Sequence, residues 1–365
     1  MNKAVKKPPY RVPSMTDIEN LTPNGVKVIS TFSGCGGSSL GYRMAGCTVL
    51  GANEFVPAAQ DVYRLNASPS TVLWTDDVRN LTGQQMLTDV GLKEGELDIL
   101  DGSPPCASFS KAGRGAAGWG EQRKYSDTRQ RSDDLFFEYA RLLAEMQPKA
   151  FIAENVQGLT QGVAKGYFQL IFKALENAGY NVKASVLDAS LLGVPQARKR
   201  VIFHGIRKDL KTPSRFPKPL PYRYTLADVL HVQTAVDKPG RKTYRDHETG
   251  KDIGIDGHAI GPEWHKLKPG QTSEKYFQLT RPHINKPSPT ITAAAGSVGA
   301  AGSTHPTEPR KFNLQELRLI CSFPHDFKLT GTFEQRWERL GRSVPPVMMK
   351  HIAETVVQTL QESSS

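Results

Sequence analysis

Between Val26 and Arg207, short runs of β-branched and apolar residues alternate with stretches of helical period, and this alternation limits the possible folds more than any other feature of the chain. VKVIST (26–31), TVLGANEF (48–55), LDILDG (97–102), AFIAENV (150–156), NVKASVLDA and RVIFHGIR read as strands. DLFFEYARLLAEM (134–146) and YFQLIFKALENAGY (167–180) place apolar residues at helical spacing, the second stopped by Gly179, and a further helix is expected to begin near Ser38. Strands joined through helices pair in parallel by crossing over a face of the sheet. The pattern therefore predicts an α/β fold, a doubly wound and mainly parallel sheet with helices on both faces.

The rhythm stops near residue 210. Residues 211–310 are rich in Pro, Gly, Lys and Thr with few periodic apolar stretches, which predicts a smaller, irregular domain. Within it AAAGSVGAAGS (293–303) reads as a flexible, low-complexity loop. From Asn313 the helical spacing returns in LQELRLICSF, FEQRWERL and PPVMMKHIAETVVQTL. The expected division is a mobile basic arm over 1–24, a first domain over 25–210, the irregular domain over 211–310, and returning helices over 311–360 that pack back onto the first domain.

Lys and Arg number 47 against 36 Asp and Glu, a formal charge of +11, which favours a polyanionic partner. Eight of those basic residues fall between Arg198 and Lys218 against the single acid Asp209, although a charge run taken alone is commonly just a solvated face. No apolar run approaches the ~20 residues of a membrane helix. The start, MNKAVKKPPYRVP, is basic but has no apolar core of a secretory signal, so a cytoplasmic location is expected. Its four cysteines (35, 47, 106 and 321) would then be reduced thiols. Neither these nor the nine histidines fall at metal-ligand spacing, so no metal is expected. A monomer is expected.

Two segments carry chemistry. In TFSGCGGSSLG (31–41), glycines follow a strand and precede a helix, so main chain can approach a ligand closely there. Glu54 follows Gly34 by 20 residues, the offset at which a carboxylate can hold a ribose hydroxyl. Ser39 stands where G-x-G-x-x-G needs its third glycine, so a nucleoside without pyrophosphate suits the turn better than a dinucleotide. Asp77 in TDDVR can meet an adenine amino group.

The second segment is DILDGSPPCASFS (98–110). Pro104-Pro105 ends the strand at its C-terminal edge, where open α/β sheets bind ligands, and Cys106 comes directly after the break. A lone cysteine there can be a buried structural thiol or a nucleophile. The strand-end acid Glu154 and the pair Arg198 and Arg200, expected on one face of an extended segment, favour the nucleophile.

Together these segments resemble the DNA (cytosine-5) methyltransferase family, collinearly from Val28 to about Val357. FSGCGGSSLG (Phe32, Ser33, Gly34, Cys35, Gly36, Gly37) is similar to the family's F-x-G-x-G-G cofactor loop, and NEF (Glu54, Phe55) to its ribose-binding acid. DDV (Asp77, Val78) is similar to the adenine-contacting segment, and SPPCASFS (Ser103, Pro104, Cys106) to the P-P-C-Q nucleophile motif. ENV, QARKR and GRSVPP (Arg342, Ser343, Val344) match E-N-V, Q-x-R-x-R and G-N-S-V-P-P in the family's order.

The resemblance implies a class I methyltransferase-like fold and methyl transfer from S-adenosylmethionine to C5 of a cytosine flipped out of double-stranded DNA. It implies Cys106 as the nucleophile at C6 and Glu154 as the group that protonates N3. Arg200 would hold O2, and Arg198 would steady the thiolate or a phosphate. Residues 211–310 become a target-recognition domain, the glycine-rich SKAGRGAAGWGEQRKYSDTRQRS (110–132) a lid, and restriction-modification the setting. A catalytically dead DNA-binding protein and a nicotinamide-dependent oxidoreductase are the competing readings.

Three positions depart from the family pattern: Ala107 for Gln, Ser103 for Gly, and Arg342 for the Asn of G-N-S-V-P-P. Near a sulfonium, a second cation ~5 Å away would cost roughly 3 kcal/mol at an effective dielectric of 20. Either Arg342 turns to solvent, a protein acid or the cofactor's own carboxylate, or the cofactor is a carboxy-S-adenosylmethionine whose extra carboxylate Arg342 clamps. The second case would yield 5-carboxymethylcytosine.

Overall fold

The computed structural model describes residues 6–105, 134–162, 164–230 and 243–363, and the backbone of short strands at 123–125, 128–130, 236–238 and 241–242. By its internal contacts the chain divides into two units, each assembled from separate segments. The larger holds Thr16–Leu187, Lys199–Lys218 and the chain from Met349 onward; the smaller holds the chain up to Met15, Asp188–Arg198 and Pro219–Met348.

The larger unit is built on a seven-stranded sheet: β1 (Lys27–Thr31), β2 (Thr48–Asn53), β3 (Val72–Trp74), β4 (Ile99–Gly102), β5 (Ala150–Val156), β6 (Tyr180–Asp188) and β7 (Lys199–Arg207). The strand order is β3-β2-β1-β4-β5-β7-β6. β1 lies parallel to β2 and β4, β2 to β3, and β4 to β5, as the βα rhythm predicted. β7 runs antiparallel to β5, a reversal that the rhythm did not predict. The connection from β6 to β7 holds a short 3₁₀ turn, Ala189–Leu191, and a two-residue strand, Gln196–Ala197, too little chain for a helical crossover.

Strand alternation explains the core. Ile29, Leu100 and Phe151 share one register row across β1, β4 and β5, and all three are fully buried. Against them pack Met86 and Leu87 of α3 (Gly83–Asp89), Leu142 and Leu143 of α4 (Leu135–Met146), and Ile171 and Leu175 of α5 (Ala164–Asn177). Their neighbours Val28 and Ile99 point to the opposite face and are equally buried, so both faces of the sheet are covered. At ~1.5–3 kcal/mol for each fully buried large apolar side chain, these rows are the main source of the sheet's stability. Two further helices, α1 (Gly37–Met44) and α2 (Pro57–Asn66), follow β1 and β2.

The smaller unit is short on regular structure, as predicted for 211–310. It contains α6 (Gly261–Lys266), α7 (Leu314–Ile320) and α8 (Phe333–Arg342), and a core of Ile255, Ile260, Trp264, Leu267, Leu279 and Val298. Capping boxes at Asn313/Glu316 and Thr332/Gln335 start α7 and α8, each satisfying main-chain N–H groups that the first turn leaves unpaired. A last helix, α9 (Pro346–Ser363), follows.

Two organisational expectations are corrected. Residues 6–15 are no mobile arm: Lys7 Nζ pairs with Asp228 at 2.7 Å, Tyr10 donates to the Leu319 carbonyl at 2.8 Å, and the Met15 N–H bonds Asp326. The charge of the segment suggested solvation, but Tyr10 stacks edge-on against Tyr224 and fastens it. The stretch 293–303 is no flexible loop either. Its small residues are small because neighbours fill the space: a Cβ on Gly302 would come within 2.4 Å of Ala295, and one on Gly296 within 3.0 Å of Trp337. By internal contacts, 188–198 and 311–348 cluster with 219–310. Ser288–Pro289 pairs in parallel with Gln196–Ala197, and Trp337 Nε1 donates to the Thr292 carbonyl at 3.0 Å. Among the described residues no helix is long and apolar enough to cross a membrane.

Candidate active site

In the larger unit the chain leaves β1 through a tight turn with Phe32, Gly34 and Gly36 at φ of 53, 57 and 94°. Phe32 is the costly member, because a side chain at positive φ stores about 1–3 kcal/mol of strain; it packs against the core cluster, which holds it in place. At Gly34 nothing lies within 4 Å of where a Cβ would stand, so the main chain there is open to a ligand. A Cβ at Gly36 would press to 3.1 Å on the Tyr63 ring.

Glu54, at the end of β2 and 7% exposed, holds this turn. Its Oε2 accepts the Gly34 N–H at 2.7 Å and its Oε1 the Val56 N–H at 2.7 Å. Gly34 and Glu54, 20 residues apart in the chain, are thus in direct contact. Ser33 Oγ donates to the Ser30 carbonyl, the Cys35 thiol is buried, and Gly37 opens α1. Phe55 remains partly exposed and Val78 is buried. Asp77 accepts the Arg79 N–H at 3.0 Å and its guanidinium at 2.8 Å, and Arg79 continues to Asp134 at 2.6 Å.

At the end of β4, Gly102 is required by space, since a Cβ would meet the Tyr139 ring at 2.5 Å and Thr31 Oγ1 at 2.7 Å. Cys106 and Ala107 lie outside the described residues, as does nearly all of the expected lid at 110–132. The chain leading to Cys106 is anchored: Asn155 Nδ2 donates to the Pro104 carbonyl at 3.0 Å, and the Ser103 N–H reaches the Thr31 carbonyl at 3.4 Å. Glu154, 8% exposed, meets Arg200 Nε at 2.8 Å. Antiparallel register explains the meeting, because Ile202 faces Glu154 and Arg200 faces Val156, one diagonal step away. Arg200 also donates to its neighbour's carbonyl, Lys199, at 2.8 Å.

Sequence reasoning missed two groups here. Asn155 was read only as part of a motif, yet it ties the Pro-Pro segment to β5. Asp101, 1% exposed in β4, accepts hydrogen bonds from Ser30 Oγ (2.7 Å), Ser38 Oγ (2.7 Å) and Tyr42 OH (3.3 Å), linking β1 and α1 beneath the turn. Burial pushes its carboxyl up to about 6 against those three hydrogen bonds, with Glu154 adding to the rise. The available signal was an acid inside an otherwise apolar strand run.

The remaining candidates lie in the smaller unit. Arg198, 3% exposed, donates to the carbonyls of Ile291 (3.3 Å), Gly341 (3.0 Å) and Arg342 (3.2 Å). The common face expected for Arg198 and Arg200 is corrected: the strand is interrupted at 198, and the two guanidiniums bond within different units. Arg342 closes α8 and meets Glu338, one turn back, at 2.7 Å, a protein acid as one expectation had it. Ser343 Oγ donates to the Arg339 carbonyl at 2.7 Å and Val344 is buried.

Comparison with known proteins identifies the family and the fold. The family model for C-5 cytosine-specific DNA methylase matches residues 26–358. Type II methyltransferase M.NgoPII of Neisseria gonorrhoeae is 31% identical over 353 residues, 93% of this chain and 98% of its own. Type II methyltransferase M.NgoFVII of the same organism is 29% identical over 367 residues, 94% of this chain and 90% of its own. A prophage-encoded E. coli protein assigned as a DNA modification methyltransferase shares the fold with a TM-score of 0.70 at 23% identity, covering 92% of this chain and 100% of that one.

Proposed function

Because the chain belongs to the C-5 cytosine-specific DNA methylase family, we propose how its residues carry out that family's reaction. It is a DNA (cytosine-5) methyltransferase, dependent on S-adenosylmethionine and acting on cytosine in DNA. The observation that carries the mechanism is the Glu154–Arg200 pair at 2.8 Å, on the paired strands β5 and β7, the first of which also anchors the Pro104 carbonyl through Asn155.

The turn from Phe32 to Gly37 fits S-adenosylmethionine: its main chain is open at Gly34, and Glu54 stands beside it as an acceptor for ribose hydroxyls. When bound, the cofactor supplies an electrophilic methyl group. The chain's own residues make the cytosine nucleophilic. The Cys106 thiolate adds to C6, breaking the C5–C6 π bond, while Glu154 delivers a proton to N3 so that charge does not build up in the ring. Arg200 orients Glu154 and supplies a donor toward O2. C5, now an enamine carbon, would take the methyl group from the bound donor; return of the N3 proton to Glu154 and loss of the C5 proton then expel the thiolate and restore the aromatic ring. Arg198 acts as a positioning residue, its buried guanidinium holding the main chain at 341–342. The smaller unit would read the DNA sequence, with the cytosine flipped out of the duplex. A cytoplasmic restriction-modification setting fits the Type II relatives.

The proposed transferred group is methyl. A carboxymethyl donor would need a cation for its extra carboxylate, and the Arg342 guanidinium already has Glu338 at 2.7 Å. Mass spectrometry of nucleosides from modified DNA should show 5-methylcytosine without 5-carboxymethylcytosine; the carboxymethylated base would reverse this choice. For the mechanism, a duplex carrying 5-fluorocytosine at the recognition site should trap the enzyme covalently, because fluorine cannot leave as a proton does. Cys106→Ala should trap nothing, and Glu154→Gln should slow trapping by about 10²–10⁴-fold, the usual worth of a positioned proton donor. A Cys106→Ala protein that still forms the adduct would end the covalent account.

A further inference from the structure

In the smaller unit, the strand pair Gln271–Thr272 and Thr280–Arg281 carries a seven-residue tip, 273–279. The base of the tip is rigid. The Ser273 N–H donates to the Leu279 carbonyl at 2.8 Å, Ser273 Oγ donates to Glu263 at 2.9 Å and accepts the Lys275 and Tyr276 N–H groups, and Leu279 is fully buried in the unit's core. Phe277 at the apex is 74% exposed, well above every other exposed large hydrophobic among the described residues. Gln278 beside it is held at φ 69°, a left-handed conformation that a non-glycine residue adopts at a cost. Next to the tip lies a hollow of about 490 Å³, lined in part by Thr272, Thr280, Thr290 and Ser303, together with Glu274, Lys275 and Phe277.

A single exposed aromatic is unremarkable on a protein surface. An exposed aromatic on a rigid, locally strained platform, above a hollow lined in part by Thr and Ser, in a chain that modifies DNA, is a different matter. We propose that the 273–279 tip reads the DNA duplex: Phe277 enters the base stack, and the hollow receives the edge of the base beside it. Bases offer flat π faces for Phe277 and donor and acceptor edges for hydroxyls, which can serve as either. Lys275 within the tip, and Lys268 and Lys286 on either side of it in the sequence, suit the phosphates of the duplex. The proposal rests on the reading of the chain as a DNA methyltransferase and adds the element that gives it sequence preference.

The test is methylation kinetics on a pool of duplexes with randomised flanks around the target, read at base resolution. Phe277→Ala should lower kcat/KM for DNA at least about fivefold, with KM rising more than kcat falls, because a base–aromatic stack is lost. Its melting temperature should not move, since the ring is exposed. Phe277→Trp should recover most of the loss, and Thr272→Val should change the preferred base at one flanking position. Phe277→Ala within twofold of wild type and with unchanged flanks, or Phe277→Trp as poor as Ala, would overturn the assignment. Wild type on the same pool separates the two layers. An active wild type matched by Phe277→Ala removes only the role of the tip. A wild type that modifies no cytosine removes the methyltransferase reading, and the tip's role with it.

Discussion

Asp101 is a carboxylic acid where water does not reach, and its chemistry can be followed one proton at a time. Two serine hydroxyls and a tyrosine hydroxyl donate to it, which favours the ionised form, yet burial outweighs them and raises its pKa to about 6 from an ordinary 3.8. The folded protein therefore holds this proton more tightly than the unfolded chain does. Stability from that excess is full below about pH 4 and is lost as pH rises through 6, a change of about 3 kcal/mol. Other carboxyls act in the opposite direction: Arg207 holds Asp209 below the usual range. Asp101 is therefore isolated by difference. Asp101→Asn removes the titration, so the stability of wild type relative to the variant should fall by up to about 3 kcal/mol between pH 4 and pH 7 in urea unfolding. A difference that stays flat across that range would mean Asp101 keeps an ordinary affinity for protons. The cofactor turn should share the effect, because Ser38 lies in the first turn of α1, directly after it.

At the scale of elements, β5 and β7 are held together by a fit between a large and an absent side chain. A Cβ on Gly205 would stand 2.0 Å from the Phe151 ring, directly across the antiparallel pair. Gly205→Ala should destabilise by roughly 1–3 kcal/mol, as overpacking of a full core does. Phe151→Leu alone should cost a similar amount through the space it leaves. The double variant should be more stable than the sum of the two losses allows, because each change relieves the other. Additive losses would show that the strands yield instead. This pairing also shows what the sequence could reveal. Strand and helix positions were legible because period alone marks them, and Gly34 with Glu54 was legible because their spacing is a local property of one βα unit. The Glu154–Arg200 meeting was foreseen as two residues at one sheet edge, but the reversal of β7 that creates it was hidden, since strand direction leaves no mark on residue period. The 293–303 stretch was misread for a related reason: small residues look alike in a sequence whether they face solvent or make room for Trp337. Arg198 was assigned chemistry by its motif, whereas its visible bonds go to main-chain carbonyls that only the folded chain brings near.

For the whole molecule, the decisive fact is that neither unit is a continuous stretch of chain. The path passes between them after Met15, Leu187, Arg198, Lys218 and Met348. Composition suggested that 211–310 could be a module, and that idea can be tested directly. Such a fragment would lack Gln196–Ala197, the strand partner of Ser288–Pro289, and Trp337, whose ring fills the space beside Gly296. It would also end at Arg310, fully buried and paired at 2.7 Å with both Glu308 and Glu316, and cutting there removes Glu316. A buried ion network that loses a partner loses about 3–5 kcal/mol, a large part of what a small domain has in total. Residues 211–310 expressed alone should therefore show no cooperative thermal transition by circular dichroism. A fragment spanning 188–348 restores every one of those partners and should gain a transition. Cooperative melting of the shorter fragment would mean that recognition is carried by a separable domain, and that the interleaving of the chain is incidental to its stability.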